Sequence, residues 1–184
     1  MKYCSACGAP VRVGVPAGDD RPRFICDACV TVHYQNPKLI AGCIPVWEDR
    51  ILLCKRAIEP RKGYWTLPAG FMELGETIAQ AAEREAHEEA NLKVAIGEIY
   101  TLFNLPHISQ VYVFFRAQML SPEFWAGAES LETRLFREDE IPWDDLSFET
   151  VHRTLQFFVE DRQRGEYVFR VQDIARDPRR MREQ

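Results

Sequence analysis

The sequence predicts an α/β sandwich, with a mixed sheet between helices, preceded by a small separate unit. Three observations predict it. Stretches rich in β-branched and aromatic residues (39–47, 51–55, 93–101, 111–118 and 132–136) surround one capped helix. A second helical repeat, Val151, Leu155, Phe158 and Val159, closes the order, and the first 34 residues carry two Cys-x-x-Cys pairs. A chain of 184 residues, 46% hydrophobic and 28% charged, suits one core of about 150 residues with something small attached.

In the small unit, residues 1–34, Cys4-Ser-Ala-Cys7 and Cys26-Asp-Ala-Cys29 are separated by 18 residues. Four thiolates from two such turns suit a closed tetrahedral zinc site, so the unit reads as a zinc ribbon, with disulfides as the alternative. So few large apolar side chains would not fold without a metal, which makes zinc the core. Val15 to Pro22 reads as a turn or hairpin tip and Arg23-Phe24-Ile25 as the strand into the second pair. His33 and His107 read as surface or packing residues rather than ligands.

Residues 35–184 form the larger domain. Leu39–Trp47 and Ile51–Lys55 read as a hairpin joined by Glu48-Asp49-Arg50. Cys43 and Cys54, one on each strand and outside any ligand spacing, read as small buried residues. The segment from Pro122 to Ser130 reads as a loop, the closing helix spans about Ser147 to Arg164, and the tail is basic through Arg176, Arg179, Arg180 and Arg182.

The chain centres on GFMELGETIAQAAEREAHEEANL, from Gly70 to Leu92. Thr77, with Gln80 three residues on, makes a capping box for its helix, and Asn91 tolerates the left-handed conformation that ends one. Ala79, Ala82, Ala86 and Ala90 share a side that would pack closely on a sheet. Glu85, Glu88 and Glu89 lie within an arc of roughly 100° on one face. Alone, such a run reads as a solvated acidic face; like charges at this spacing need either solvent or a cation.

The surrounding spacing resembles the Nudix box, Gx5Ex7REUxEExGU with U aliphatic, matched by Gly70, Glu76, Arg84, Glu85, Glu88, Glu89 and Leu92. Ala86 departs from the bulkier aliphatic, and Asn91 from the second glycine. The resemblance implies a Nudix α/β/α sandwich over about residues 35–165. It also implies magnesium or manganese held by Glu85, Glu88 and Glu89 with the Gly70 carbonyl, and Glu76 and Arg84 as an ion pair tying loop to helix. Glu73 is a possible further ligand, and Glu138 and Glu140 are candidates for a general base from a later loop. The two Cys-x-x-Cys pairs, HYQNPKLIAGCIPVW, LLCKRAIEP and WTLPAGFMELGET look like the zinc-ribbon Nudix group that includes plant FAD and ADP-ribose pyrophosphohydrolases. The related NADH pyrophosphatases carry an SQPWPFPxS-like segment where this chain has YTLFNLPHIS, from Tyr100 to Ser109.

The chemistry fits the residues. Water attacks a pyrophosphate phosphorus only when the phosphate charges are neutralised and the water is deprotonated, both of which a carboxylate-held magnesium ion provides. The expected activity is hydrolysis of a nucleoside diphosphate linked to another group, with FAD (to FMN and AMP) or ADP-ribose favoured and NADH the alternative. Tyr64, Trp65, Phe103 and Tyr112 could stack on a base, though core packing is their default, and Arg56 and Arg61 could reach phosphates. The rival reading is a nucleotide-sensing regulator whose ribbon binds nucleic acid or protein. A net charge of −5, with only Lys2, Arg12, Arg21 and Arg23 as basic residues in the ribbon, argues against a nucleic-acid partner. No apolar run approaches membrane-spanning length and Met1 to Gly8 has no signal-peptide core, so the expectation is a cytoplasmic protein, or an organellar one if a transit peptide was removed. A homodimer is suggested by analogy only.

Overall fold

The computed structural model describes residues 1–175; the basic tail singled out above lies outside the described residues. The chain divides into two compact units, Met1–Pro37 and Lys38–Gln184. In the first, β1 (Arg12–Gly14), β2 (Arg23–Ile25) and β3 (Val32–His33) form an antiparallel sheet in that order. The first Cys-x-x-Cys turn closes through Gly8 N–H to the Cys4 carbonyl (2.9 Å), and the second through Cys26 N–H to Thr31 (2.9 Å). Cys4, Ile25 and Cys26 are its buried apolar residues, while Tyr3, Val13, Val15, Val30 and Tyr34 are exposed. Apolar burial on that scale cannot offset the ordering entropy of so many residues, as expected for a unit held by a metal.

The second unit contains β4 (Lys38–Trp47), β5 (Arg50–Arg56), β6 (Trp65–Thr66), β7 (Ala69–Phe71), α1 (Ile78–Ala90), β8 (Val94–Leu105), β9 (Gln110–Met119), β10 (Ser130–Phe136), α2 (Glu149–Arg164) and β11 (Arg170–Asp173). The sheet runs β10-β5-β4-β9-β8-β11 and is mixed: β4–β9 and β8–β11 are parallel, the other pairs antiparallel. Side chains one residue apart point to opposite faces of a strand. Ile44, Ile51, Leu53 and Phe114 therefore pack with Val151, Leu155 and Phe158 of α2, while Cys43, Leu52, Cys54, Val113 and Phe115 cluster with the alanines of α1.

One feature of the sheet positions the site. β4 and β5 pair only beside their turn, at Val46–Ile51 and Trp47–Arg50, which leaves a two-residue Glu48-Asp49 loop rather than three. Farther along they splay, and the 65–71 segment is wedged between them. β6 pairs with β5 (Cys54–Thr66) and β7 with β4 (Ala41–Gly70), so Gly70 becomes part of the sheet.

Helix α1 begins and ends as expected: Thr77 and Gln80 cap each other reciprocally, and Asn91 has φ 51°. Its buried alanines are Ala81, Ala82, Ala86 and Ala90; Ala79 is only partly buried, so Ala81 takes the place expected for it. Strand β8 extends beyond Thr101 to Leu105, and register shifts near Ile96 and Ile99 break the alternation that would have revealed its length. Strand β11 was not foreseen. Its anchor is Arg170, whose guanidinium grips the buried Asp161 of α2 through both oxygens (2.6 Å each) while Tyr100 donates to Asp161 at 2.8 Å. Among the described residues no helix is long and apolar enough to cross a membrane.

Candidate active site and thiolate cluster

In the first unit the four sulfurs of Cys4, Cys7, Cys26 and Cys29 lie within 4.8 Å of one another. Cys4–Cys29 and Cys7–Cys26 are 3.6 and 3.5 Å apart. A tetrahedral zinc with Zn–S near 2.3 Å needs sulfur–sulfur edges of about 3.8 Å; two edges are slightly shorter and the others lie within 4.8 Å, so a modest adjustment fits the cluster to that ion. Hydrogen bonding from the Thr31 hydroxyl and backbone draws the Cys29 thiol down to about 6, while the neighbouring sulfurs push the Cys7 thiol up to about 12, so without an ion the four cannot all be thiolates. His33, read as a surface or packing residue rather than a ligand, is half-buried and brings Nε2 to 3.2 Å from Cys4 Sγ, outside the four-sulfur cluster. Arg12 pairs with Asp27, Arg23 with Asp19 and Arg21 with Asp20, which leaves little positive surface for phosphates.

In the second unit the triad divides. Glu85 and Glu89 are 9% and 6% exposed, whereas the Glu88 side chain is 56% exposed. The alanine face of α1 lies so close to the sheet that Glu85 and Glu89 are carried inward beside β7. A Cβ at Gly70 would collide with the Glu85 carboxylate, which would have to swing aside from its present position against β7. The Ala69 backbone N–H is directed at Glu89. Burial, and then repulsion from Glu85, push Glu89 up to about 8; burial also raises Glu85. Two buried carboxylates that oppose each other's ionisation fit a divalent cation, the partner that would relieve both penalties.

Arg84 organises the rest. Its guanidinium reaches Glu76 (2.9 Å), Glu85 (2.6 Å), Glu88 (3.0 Å) and the Phe71 carbonyl (2.9 Å), tying the loop before α1 to the helix and to β7. This holds Glu76 below its ordinary range, chiefly through the Arg84 hydrogen bond. Glu73 contributes its backbone N–H to Glu76. Glu138 accepts from Arg162 at 3.2 Å and Glu140 from the Arg137 backbone at 3.0 Å, both local structural bonds.

Phe103 and Trp65 are core residues, whereas Tyr64 and Tyr112 are half-buried. Arg56 is held by the Pro60 carbonyl at 2.9 Å, and its charge acts on both Glu89 and Tyr112. His107 is exposed, and among the described residues only the four cysteines form a ready-made ligand cluster. Cys43 and Cys54 are fully buried, with both thiols pushed up by burial.

Glu129 escaped the sequence reading. Its charge bears on both Glu85 and Glu89, more weakly than burial does, from an exposed position in a segment read as plain loop. The available signal was its place beside the small-residue run Ala126-Gly127-Ala128, which permits close packing on a helix.

Residues 36–157 match the NUDIX domain model, and residues 2–35 the model described as Nudix N-terminal. A crystal structure of a NUDIX hydrolase from Nitrosomonas europaea is 55% identical, with a TM-score of 0.93, covering 96% of this chain and all of that one. The NAD-capped RNA hydrolase NudC of Salmonella heidelberg (strain SL476) is 34% identical over 145 residues, 77% of this chain and 53% of the relative. This chain thus spans about half the length of the curated relatives it matches. An ADP-ribose pyrophosphatase from Streptococcus suis shares the fold at 21% identity, with a TM-score of 0.58 over 76% of this chain and all of that one. With box, fold and ribbon in agreement, the chain belongs to the Nudix hydrolase family.

Proposed function

We propose that the protein hydrolyses the pyrophosphate bond of nucleoside diphosphates linked to a second group, using magnesium or manganese held by Glu85, Glu88, Glu89 and the Gly70 carbonyl, with zinc in the cysteine cluster. The observation that carries this reading is the buried, mutually opposed pair Glu85 and Glu89 beside Gly70. Arg84 answers Glu85 at 2.6 Å, whereas among the described residues Glu89 has no ion pair and feels only the more distant charge of Arg56.

When bound, the divalent ion neutralises phosphate charge and lowers the pKa of attacking water. The chain's own residues do the rest. Glu85 and Glu89 anchor from the sheet side, Glu129 adds charge from the opposite loop, and exposed Glu88 completes the set when released by Arg84. Arg84 keeps Glu76 and β7 in register with the helix, and Arg56 lies where it neutralises a phosphate approaching Glu89.

NAD-type and ADP-ribose-type compounds are the favoured substrates, supported by the NudC relatives; FAD shares the same linkage and belongs in the same test. The stretch from Tyr100 to Ser109, which differs from the NADH group, is buried at Tyr100, Thr101, Phe103 and Leu105 and exposed from Pro106 to Ser109, with an Asn104–Asp173 bond of 2.9 Å. Incubating the full chain with NADH, ADP-ribose, FAD, diadenosine polyphosphates, nucleoside triphosphates and NAD-capped RNA, with magnesium or manganese, tests the reading. AMP released from the dinucleotides and abolished by a chelator is expected; no metal-dependent cleavage of any of them would refute it.

A further inference from the structure

The segment 125–130 is built against the end of α1. Trp125 N–H donates to the Ala90 carbonyl (3.2 Å), Gly127 N–H to the Glu89 carbonyl (2.9 Å), and Asn91 Nδ2 to the Trp125 carbonyl (3.1 Å). Two of the carbonyls that a helix end leaves without partners are thereby satisfied. At its other end the segment is fixed by Ala57 N–H to the Glu129 carbonyl (2.8 Å), beside the end of β5. Between these anchors the backbone passes so near α1 that a Cβ at Gly127 would overlap the Glu88 carbonyl oxygen and come within 3.1 Å of the Glu89 carbonyl carbon. Both obstacles are helix backbone and cannot swing aside. Glycine is required here by proximity.

We propose that Gly127 is a positioning residue: its contact with α1 sets the distance between Glu129 and the pair Glu85 and Glu89. The inference rests on the reading of those carboxylates as a divalent-metal site. Only Ala128 separates Gly127 from Glu129, so displacement of the backbone at 127 is transmitted to 129 with little chain to absorb it. The obstacles on the other side are backbone of α1, held by the helix's own hydrogen bonds and its packing on the sheet, so an added methyl group displaces the segment rather than the helix.

The test measures manganese binding to the full chain by electron paramagnetic resonance, with activity as a separate readout. Gly127→Ala is expected to weaken manganese binding about tenfold or more, the range seen when a metal ligand's supporting contact is removed. In a Glu129→Gln background the same change should matter less than about twofold, because its route to the ion is gone. Equal weakening in both backgrounds, or none in either, would overturn the proposal. Should Gly127→Ala fail to fold, Asn91→Gly decides. It preserves the left-handed helix end, removes only the bond to Trp125, and should weaken binding about threefold with Glu129 present and not without it; binding unchanged with Glu129 present would overturn the proposal. Wild-type protein that binds no manganese would instead remove the metal-site reading itself, and the clamp with it.

Discussion

The molecule gathers anionic ligands twice, and the two clusters are built in opposite ways. The cysteines lie on two turns with almost no apolar support, already at nearly the spacing a tetrahedral ion demands. The glutamates project from a helix packed on a completed sheet, and Arg84 holds Glu85 and Glu88 in the ion's stead. On the proposed reading, one cluster needs its ion in order to fold, while the other is folded beforehand and uses its ion for chemistry. Stability and activity should therefore separate cleanly between the two.

The sharpest break of that contrast is Cys26→Ser. It should release zinc completely and unfold residues 1–37, leaving the larger unit's melting in place; elemental analysis and limited proteolysis would show both. Glu89→Gln should do the converse, lowering turnover by about a thousandfold while zinc stays bound, as loss of one carboxylate from a metal-activated water predicts. Arg84→Lys should cost about ten- to a hundredfold in turnover, since an ammonium cannot reach Glu76, Glu85, Glu88 and the Phe71 carbonyl together.

The pH dependence is gentler. Glu89 is raised to about 8 in the metal-free protein, so it keeps its proton at neutral pH while the unfolded chain has lost its own. Its own contribution to metal-free stability is therefore greatest below the ordinary glutamate range and falls as pH rises towards 8, opposite in sign to the lowered Asp19, Glu76 and Asp161, whose contributions are lost in acid. An arriving cation must displace that proton, so manganese affinity should rise by about tenfold per pH unit from 6 to 8 and then level off, measurable by calorimetry with proton release. The smallest effect belongs to Cys43→Ala, which should leave turnover near normal and cost about 1 kcal/mol of stability by thermal melting, as befits a buried packing residue.

What the sequence made legible was local. The capping box at Thr77, the stop at Asn91 and the two Cys-x-x-Cys turns each depend on residues close in the chain, and each is found in the structure where the spacing puts it. What stayed hidden depends on contacts between distant segments. Periodicity places Glu85, Glu88 and Glu89 on one face, but it could not show that only Glu85 and Glu89 are buried, because that follows from how closely the alanines let α1 approach. Neither could it show the 65–71 wedge between β4 and β5, the Asp161–Arg170 anchor of β11, or Glu129 against the helix. His33 is the same lesson in miniature: an isolated histidine in sequence, yet 3.2 Å from Cys4 once β3 pairs with β2.

Anomalous scattering from one crystal grown with manganese and a non-cleavable dinucleotide, recorded at the zinc and manganese edges, tests the division of labour most directly. A zinc peak at Cys4, Cys7, Cys26 and Cys29, with a separate manganese peak about 2.2 Å from oxygens of Glu85 and Glu89, is the predicted result. Manganese found elsewhere, with both carboxylates still bonded only to protein, would contradict it.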